Sequence, residues 1–202
     1  FDLSGQVAVV TGASTGLGVQ MAKALANQGA NIVCMARRQN LIDEVAADIA
    51  KEFGISEDDI SVVPCGVNAS RFAAHAEGDA TEDEVKAKYE LPDRFVLYFG
   101  TTATYKNVAN LIRGYARMSD VVRRNVALVV THGNEELERV AREEGVIDSV
   151  KFLGYVQEAD KPALYRLASA YGFLSRLEGF GLTPLEAMAA GVPTVVSNCA
   201  TL

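Results

Sequence analysis

Tryptophan is absent from the 202 residues, and histidine, cysteine and proline number only two, three and five. His75 and His132 stand apart from each other and from the cysteines, so no spacing suits a zinc site. Cys34, Cys65 and Cys199 are an odd, scattered set in or beside apolar stretches. They read as buried free thiols in a reducing compartment. Apolar residues make up 49% of the chain, yet no run is long enough for a membrane span. Basic residues are outnumbered 19 to 26, and the net charge of -7 argues against a general nucleic-acid binder. The start, Phe1-Asp2-Leu3-Ser4, lacks the basic residues of a secretory signal, which with the thiols gives a cytoplasmic expectation. The length suits one large domain or two small ones.

What the chain does have is an unbroken alternation of short apolar runs and amphipathic stretches. Strands are expected at residues 6–10, 31–35, 60–64, 94–99, 125–131, 150–153, 170–174 and 193–197. A helix between the first two carries Leu17, Met21, Ala24 and Leu25 on one face and stops at Gly29. Another, over residues 40–53, carries Leu41, Ile42, Val45, Ile49 and Phe53 and stops at Gly54. Further helices are expected from the capping box Thr81-Glu-Asp-Glu84 to Tyr89, at the periodic residues Val108, Leu111, Ile112, Tyr115 and Met118, over 134–144, and from Asp160 to 168. Such alternation predicts an α/β class: Rossmann-like, three-layer αβα, with parallel sheet in two fused fragments. Residues 1–68 form the first fragment, 69–90 a linker and short helix, 91–202 the second. The Ala-rich stretch 69–81 reads as mobile.

Two glycine loops carry the chemistry. The first is Thr11-Gly12-Ala13-Ser14-Thr15-Gly16-Leu17-Gly18, running from a strand into a helix. Phosphates of a dinucleotide would sit on its amides and on the helix start. The second is Leu177 to Ser197, LEGFGLTPLEAMAAGVPTVVS. Here Gly179 and Gly181 free the backbone to approach a ligand. Thr183-Pro184-Leu185-Glu186 reads as a capping box with Pro184 at the first helical position, Gly191 as the helix stop, and the run after Pro193 as a buried strand.

The first loop resembles the T-G-x-x-x-G-x-G loop of short-chain dehydrogenase/reductases, over roughly the first quarter of the chain. That resemblance implies cofactor contacts at Gly12, Ser14, Thr15, Gly16, Leu17 and Gly18. Ala36 stands where NAD-type members carry an acid, and Arg37 and Arg38 follow, implying NADP(H); the alternative for both arginines is a solvated helix start. The family's Tyr-x-x-x-Lys pair, its general acid–base device, is absent: none of the seven tyrosines has a lysine four residues on. The Asn-Asn-Ala-Gly strand end is absent too.

The second loop resembles the donor-binding segment of retaining GT-B nucleotide-sugar glycosyltransferases, the family with the E-x7-E motif. Glu178-Gly179-Phe180-Gly181 through Glu186 fits the spacing. The likeness runs from about residue 61 and includes Tyr98-Phe-Gly-Thr101, Lys106-Asn107, Phe152-Leu-Gly-Tyr-Val156 and Pro162-Ala-Leu-Tyr165. It implies that Lys106 meets the donor diphosphate, Glu178 the sugar hydroxyls, Glu186 the nucleotide ribose, and 152–156 the base. Thr101 departs from a usual second basic residue, Leu174 from a usual proline, and the loop at His132-Gly133 is short. No metal is required, since the lysine and the helix start supply positive potential.

Neither enzyme is complete on these signals. The expectation is a chimeric or designed Rossmann-like protein without intact catalytic machinery that retains weak nucleotide binding. The alternatives are a glycosyltransferase donor-binding domain for hexosyl transfer and an NADP(H)-binding module derived from an oxidoreductase. NADP(H) or a nucleoside-diphosphate sugar would then be a ligand rather than a required cofactor. The strands at 6–10 and 193–197 are expected at sheet edges, covered either by joining the two sheets within a monomer or by pairing two chains edge to edge in a homodimer.

Overall fold

The computed structural model describes residues 2–36, 39–54, 61–64 and 66–199. The chain divides into two units, Phe1–Gly66 and Val67–Leu202.

The first unit is a parallel sheet in the order β1-β2-β3, built from β1 (Val7–Thr11), β2 (Asn31–Ala36) and β3 (Ser61–Pro64). Helix α1 (Leu17–Ala26) and helix α2 (Gln39–Phe53) link the strands as expected. Ile42, Val45 and Ile49 of α2 are buried with Val10, Ile32 and Cys34. Helix α1 corrects the expected face: Leu17 is 81% and Met21 61% exposed, while Ala22 and Ala26 are buried. The cause is the close approach of helix and loop. A Cβ on Gly18 would lie 2.2 Å from the Gly12 carbonyl oxygen, so only glycine fits there. Gly18, Ala22 and Ala26 recur every four residues, and this small-residue row lies inward.

The second unit holds a five-stranded parallel sheet in the order β6-β5-β4-β7-β8. Its strands are β4 (Phe95–Tyr98), β5 (Ala127–Thr131), β6 (Val150–Leu153), β7 (Ala170–Phe173) and β8 (Thr194–Val196). Phe95, Leu97 and Tyr98, Leu128 to Val130, and Tyr171 and Phe173 are all buried, the near-continuous apolar run of strands covered on both faces. Around them run α3 (Ala69–Ala73), α4 (Glu82–Lys88), α5 (Val108–Ala116), α6 (Asp120–Asn125), α7 (Glu135–Glu143), α8 (Lys161–Leu167) and α9 (Leu182–Ala189). They pack as two groups, α5 with α7, and α3, α4, α8 and α9 together. The chain winds outward from β4 through β5 to β6, then returns to the other side of β4 with β7 and β8. Right-handed crossovers in opposite directions put the two helix groups on opposite faces, giving three layers.

The Thr81 capping box forms as read: the Glu84 N–H donates to Thr81 Oγ1 at 3.3 Å and the Thr81 N–H to Glu84 Oε2 at 2.9 Å. The stretch read as a mobile linker is instead partly helix. In α3, Phe72 is 4% exposed and edge-on to Tyr165, and Arg71 pairs with Asp79 at 3.0 Å and Glu158 at 3.4 Å. Helix α6 is an addition; Ser119 caps it, but Val121 and Val122 are exposed, so no apolar stripe announces it. Asp160 precedes α8 without capping it, because its carboxylate accepts from Lys88 and Tyr89, both at 2.6 Å.

The strands of the described residues form two sheets, not one joined sheet. Strand β1 is an outer strand with Val7 and Val9 exposed, and β8, the outer strand of the other sheet, spans three residues. Cys34 is buried as a free thiol and Cys199 is half-buried, while Cys65 lies outside the described residues. Among the described residues no helix is long and apolar enough to cross a membrane.

Candidate functional site

The winding of the five-stranded sheet reverses between β4 and β7, and at the carboxyl ends of those neighbours two loops leave in opposite directions. Such a switch point is where open α/β sheets hold ligands. Gly100 ends β4 at φ 147, and its N–H donates to Thr131 Oγ1 at 2.9 Å. The Tyr98 hydroxyl donates to the Thr101 carbonyl at 2.6 Å, fixing the exit of the loop. A 3-10 turn, Thr104–Lys106, then leads to Asn107, whose left-handed backbone (φ 60) starts α5. The Asn107 side-chain amide donates to the Leu174 carbonyl at 3.0 Å, and the Arg176 N–H to the Tyr105 carbonyl at 2.9 Å. The Ser175 hydroxyl also donates to the Tyr105 carbonyl at 3.2 Å, so the loops after β4 and β7 are tied by three hydrogen bonds.

These ties bring together the two residues that sequence placed at the diphosphate and the sugar. Lys106 Nζ lies 2.8 and 2.9 Å from the two carboxylate oxygens of Glu178. The side chains are 16% and 8% exposed. The ammonium also stands 5.2 Å from the Phe173 ring centre and 5.4 Å from that of Tyr105, a cation–π setting on the floor of the loop. Burial and, next, the Glu178 charge push the Tyr98 hydroxyl far above the ordinary tyrosine range, so it serves as a neutral donor.

Gly179 is exposed, Phe180 half-buried, and Gly181, in the left-handed region at φ 83, directly precedes α9. The expected capping box at Thr183 is not formed, and Pro184 is the third helical residue rather than the first. Glu186 is turned inward instead: one oxygen accepts from Lys161 at 2.8 Å and the other from the Tyr165 hydroxyl at 3.1 Å. A cation and a hydroxyl on α8 outcompete the helix's own amides for this carboxylate. Burial, first, pushes the Tyr165 hydroxyl well above its usual range. Sequence reasoning missed Lys161 and Arg176. It also missed the setting of His132, a left-handed residue (φ 55) whose buried Nδ1 lacks a hydrogen-bond partner and whose ring meets Tyr155 edge-on at 6.4 Å. The signal available was the histidine immediately before a glycine at a strand end.

In the first unit, Gly12, Ser14, Thr15, Gly16, Leu17 and Gly18 follow β1 and lead into α1 as read, with Gly12 and Gly16 at φ 71 and 61. The Gly12 and Ala13 amides donate to the Met35 carbonyl at 2.7 and 3.3 Å, so they shape the turn rather than face a phosphate. Arg37 and Arg38 lie outside the described residues. No cluster of three or more metal-ligating side chains occurs among the described residues.

The short chain dehydrogenase family model matches residues 6–88, beyond the first quarter of the chain, and overlaps the next match through α4. Mannosylfructose-phosphate synthase of Agrobacterium fabrum is 31% identical over 159 residues, covering 74% of this chain and 35% of that protein. Serotype-specific mannosyltransferase WbdA of Escherichia coli is 36% identical over 124 residues, 58% of this chain and 15% of that protein. The chain thus spans about a third or less of the length of these curated relatives. Among solved structures, the glycosyltransferase WaaG, involved in lipopolysaccharide biosynthesis, aligns at TM-score 0.65 and 18% identity over 100% of this chain and 59% of that one. Anabaena Alr3699/HepE, in complex with UDP and glucose, aligns at TM-score 0.60 and 17% identity over 96% and 52%. These two likenesses are of fold. The glycosyl transferases group 1 model matches residues 79–202, the stretch that contains the tied loops, Lys106 and both glutamates, and the chain belongs to that family.

Proposed function

We propose that the unit Val67–Leu202 binds the nucleoside-diphosphate sugar of a hexosyl transfer, as the donor half of a glycosyltransferase. The observation that carries this is the Lys106–Glu178 pair spanning the switch point, a cation for the diphosphate beside an acceptor for sugar hydroxyls. Gly179, Phe180 and Gly181 supply the close backbone approach. Glu186, whose carboxylate is held by Lys161 and Tyr165, is the residue that the family resemblance assigns to the ribose. The mannosyltransferase relatives and the UDP-bound neighbour support a sugar nucleotide as the ligand class. An acceptor and turnover would require elements beyond this donor site. Titration calorimetry with UDP, GDP and ADP sugars is the test. Lys106→Ala is expected to weaken both the sugar nucleotide and the free nucleoside diphosphate, and Glu178→Ala to weaken the sugar nucleotide selectively. Binding abolished by a chelator, or identical behaviour of the two variants, would sink the assignment.

A second reading concerns the first unit. Its strand–loop–helix with Gly18 pressed against Gly12, together with the dehydrogenase match, supports a dinucleotide fragment fused to the donor half. The fusion has no dehydrogenase activity, for want of the Tyr-x-x-x-Lys pair. Any dinucleotide binds weakly and prefers NADP to NAD, and Arg37→Ala removes that preference. Substrate-dependent change at the reduced-nicotinamide absorbance band, or equal binding of NADP and NAD before the mutation, would refute it.

A further inference from the structure

Both carboxylate oxygens of Glu178 lie on Lys106, and both side chains are largely withdrawn from solvent. The pair is flanked by the aromatic rings of Phe173 and Tyr105, so its charges are poorly screened. The Lys106 cation on the floor of this loop is thus held by an internal anion, on the residue that opens the Gly179–Gly181 turn. Any diphosphate that reaches Lys106 meets Glu178 as a like charge at close range.

How severe that meeting is depends on the terminal phosphate. Esterified to a sugar, it carries one charge, and the sugar offers hydroxyl protons that Glu178 can accept. Bare, it carries a second ionisation with a pKa of about 6, so at pH 7.5 it brings nearly one further charge and no donor. We infer that Glu178, through its contact with Lys106, sets the selectivity of the site for a nucleoside diphosphate with an esterified terminal phosphate, and works against the bare nucleoside diphosphate left after transfer. Glu178 would then speed product release as well as hold the sugar. This rests on the donor-site reading above and adds a direction to it: removing the Glu178 charge tightens the bare diphosphate rather than sparing it.

The test is titration of the full chain at pH 7.5 with UDP, the terminal methyl ester of UDP and UDP-glucose, and with the corresponding guanosine series. The methyl ester isolates charge from sugar contacts. Wild-type protein is expected to bind the methyl ester more tightly than the bare diphosphate. In Glu178→Gln both tighten, and the bare diphosphate, with the extra charge, gains about tenfold more than the ester, so the preference disappears or inverts. Glu178→Asp keeps the charge and the preference, and guards against a Gln variant that fails to fold with Lys106 unpaired. The inference is overturned if the wild type binds the bare diphosphate as tightly as its ester, or if Glu178→Gln leaves their ratio unchanged. Failure of every member of both series to bind the wild type overturns the donor-site reading itself, whereas binding with equal affinities overturns only the selectivity.

Discussion

Replacing Lys161 by Met removes a charge from beside Glu186 while keeping the length and apolar stem of the side chain. In the wild type the ammonium sits 2.8 Å from Glu186 and 3.7 Å from Glu158, and 5.1 Å from the Phe99 ring. Glu158 is exposed and rehydrates at little cost. Glu186 does not, since its side chain is only 12% exposed and stays enclosed by α8. At 2.8 Å and an effective dielectric constant of about 20, the lost attraction is about 6 kcal/mol gross. Desolvation in the wild type already offsets part of this, so an uncompensated Glu186 should cost about 3–5 kcal/mol net. That corresponds to a fall of roughly 10–20 °C in the melting temperature of this unit. All seven tyrosines lie in Val67–Leu202, so urea unfolding followed by tyrosine fluorescence reports on this unit alone. Lys161→Met/Glu186→Gln, which removes both charges and keeps an acceptor for Tyr165, should recover most of the loss. A single variant costing under about 1 kcal/mol, or a double variant as unstable as the single, would refute a buried, charge-compensated Glu186.

Phe72→Ala should destabilise the same unit by about 3–5 kcal/mol and expose residues 69–79 to proteolysis; a cost near zero would restore the linker reading of α3. Gly133→Ala places a Cβ 2.5–2.7 Å from the Phe152 ring, so it should cost about 1–3 kcal/mol in urea unfolding, and Phe152→Leu in the same chain should relieve part of it. Burial raises the Tyr98, Tyr165 and Tyr171 hydroxyls above the ordinary value. Folded-state values above unfolded ones mean that their contribution is complete below about pH 10 and is lost as pH rises beyond it, at about 1.4 kcal/mol per pH unit for each group. Tyrosinate absorbance from these three should accordingly appear only together with the loss of circular dichroism; ionisation ahead of unfolding would contradict their burial.

The features legible in the sequence were those with local chemistry. Thr81 and Glu84 satisfy each other's amides within one turn, and Gly29, Gly54 and Gly191 end helices at φ 89, 66 and 75 because only glycine enters that region cheaply. The β-branched strands were legible for the same reason. The rotation of α1 was not, because its inward row is Gly18, Ala22 and Ala26, which carry almost no hydrophobic signal beside Leu17 and Met21. Helix α3 has one apolar anchor, Phe72, and its order comes from partners such as Glu158, 87 residues away from Arg71. Likewise, Thr183-Pro-Leu-Glu186 had the composition of a capping box, but the partners that claimed Glu186 lie 25 and 21 residues upstream. The motif spacing picked out the residues that the tied loops bring together, and contacts across the fold decided which way their side chains face.

The pairing of β4 with β7 has a thermodynamic consequence for the site. Lys106 and Glu178 are 72 residues apart, and they meet only once those two strands lie side by side, with β5 and β6 intervening in the sequence. Closing so long a loop cannot be done piecemeal, and a chain that has formed only its local helices has no Lys106–Glu178 pair at all. A ligand that bridges the two loops therefore binds the native unit and ignores the unfolded one. At a hundred times its dissociation constant it would add about 2.7 kcal/mol to the unfolding free energy. The melting point of Val67–Leu202 thereby becomes a gauge of nucleotide affinity, and panels of nucleotides and sugar nucleotides can be ranked by heat alone, without an acceptor.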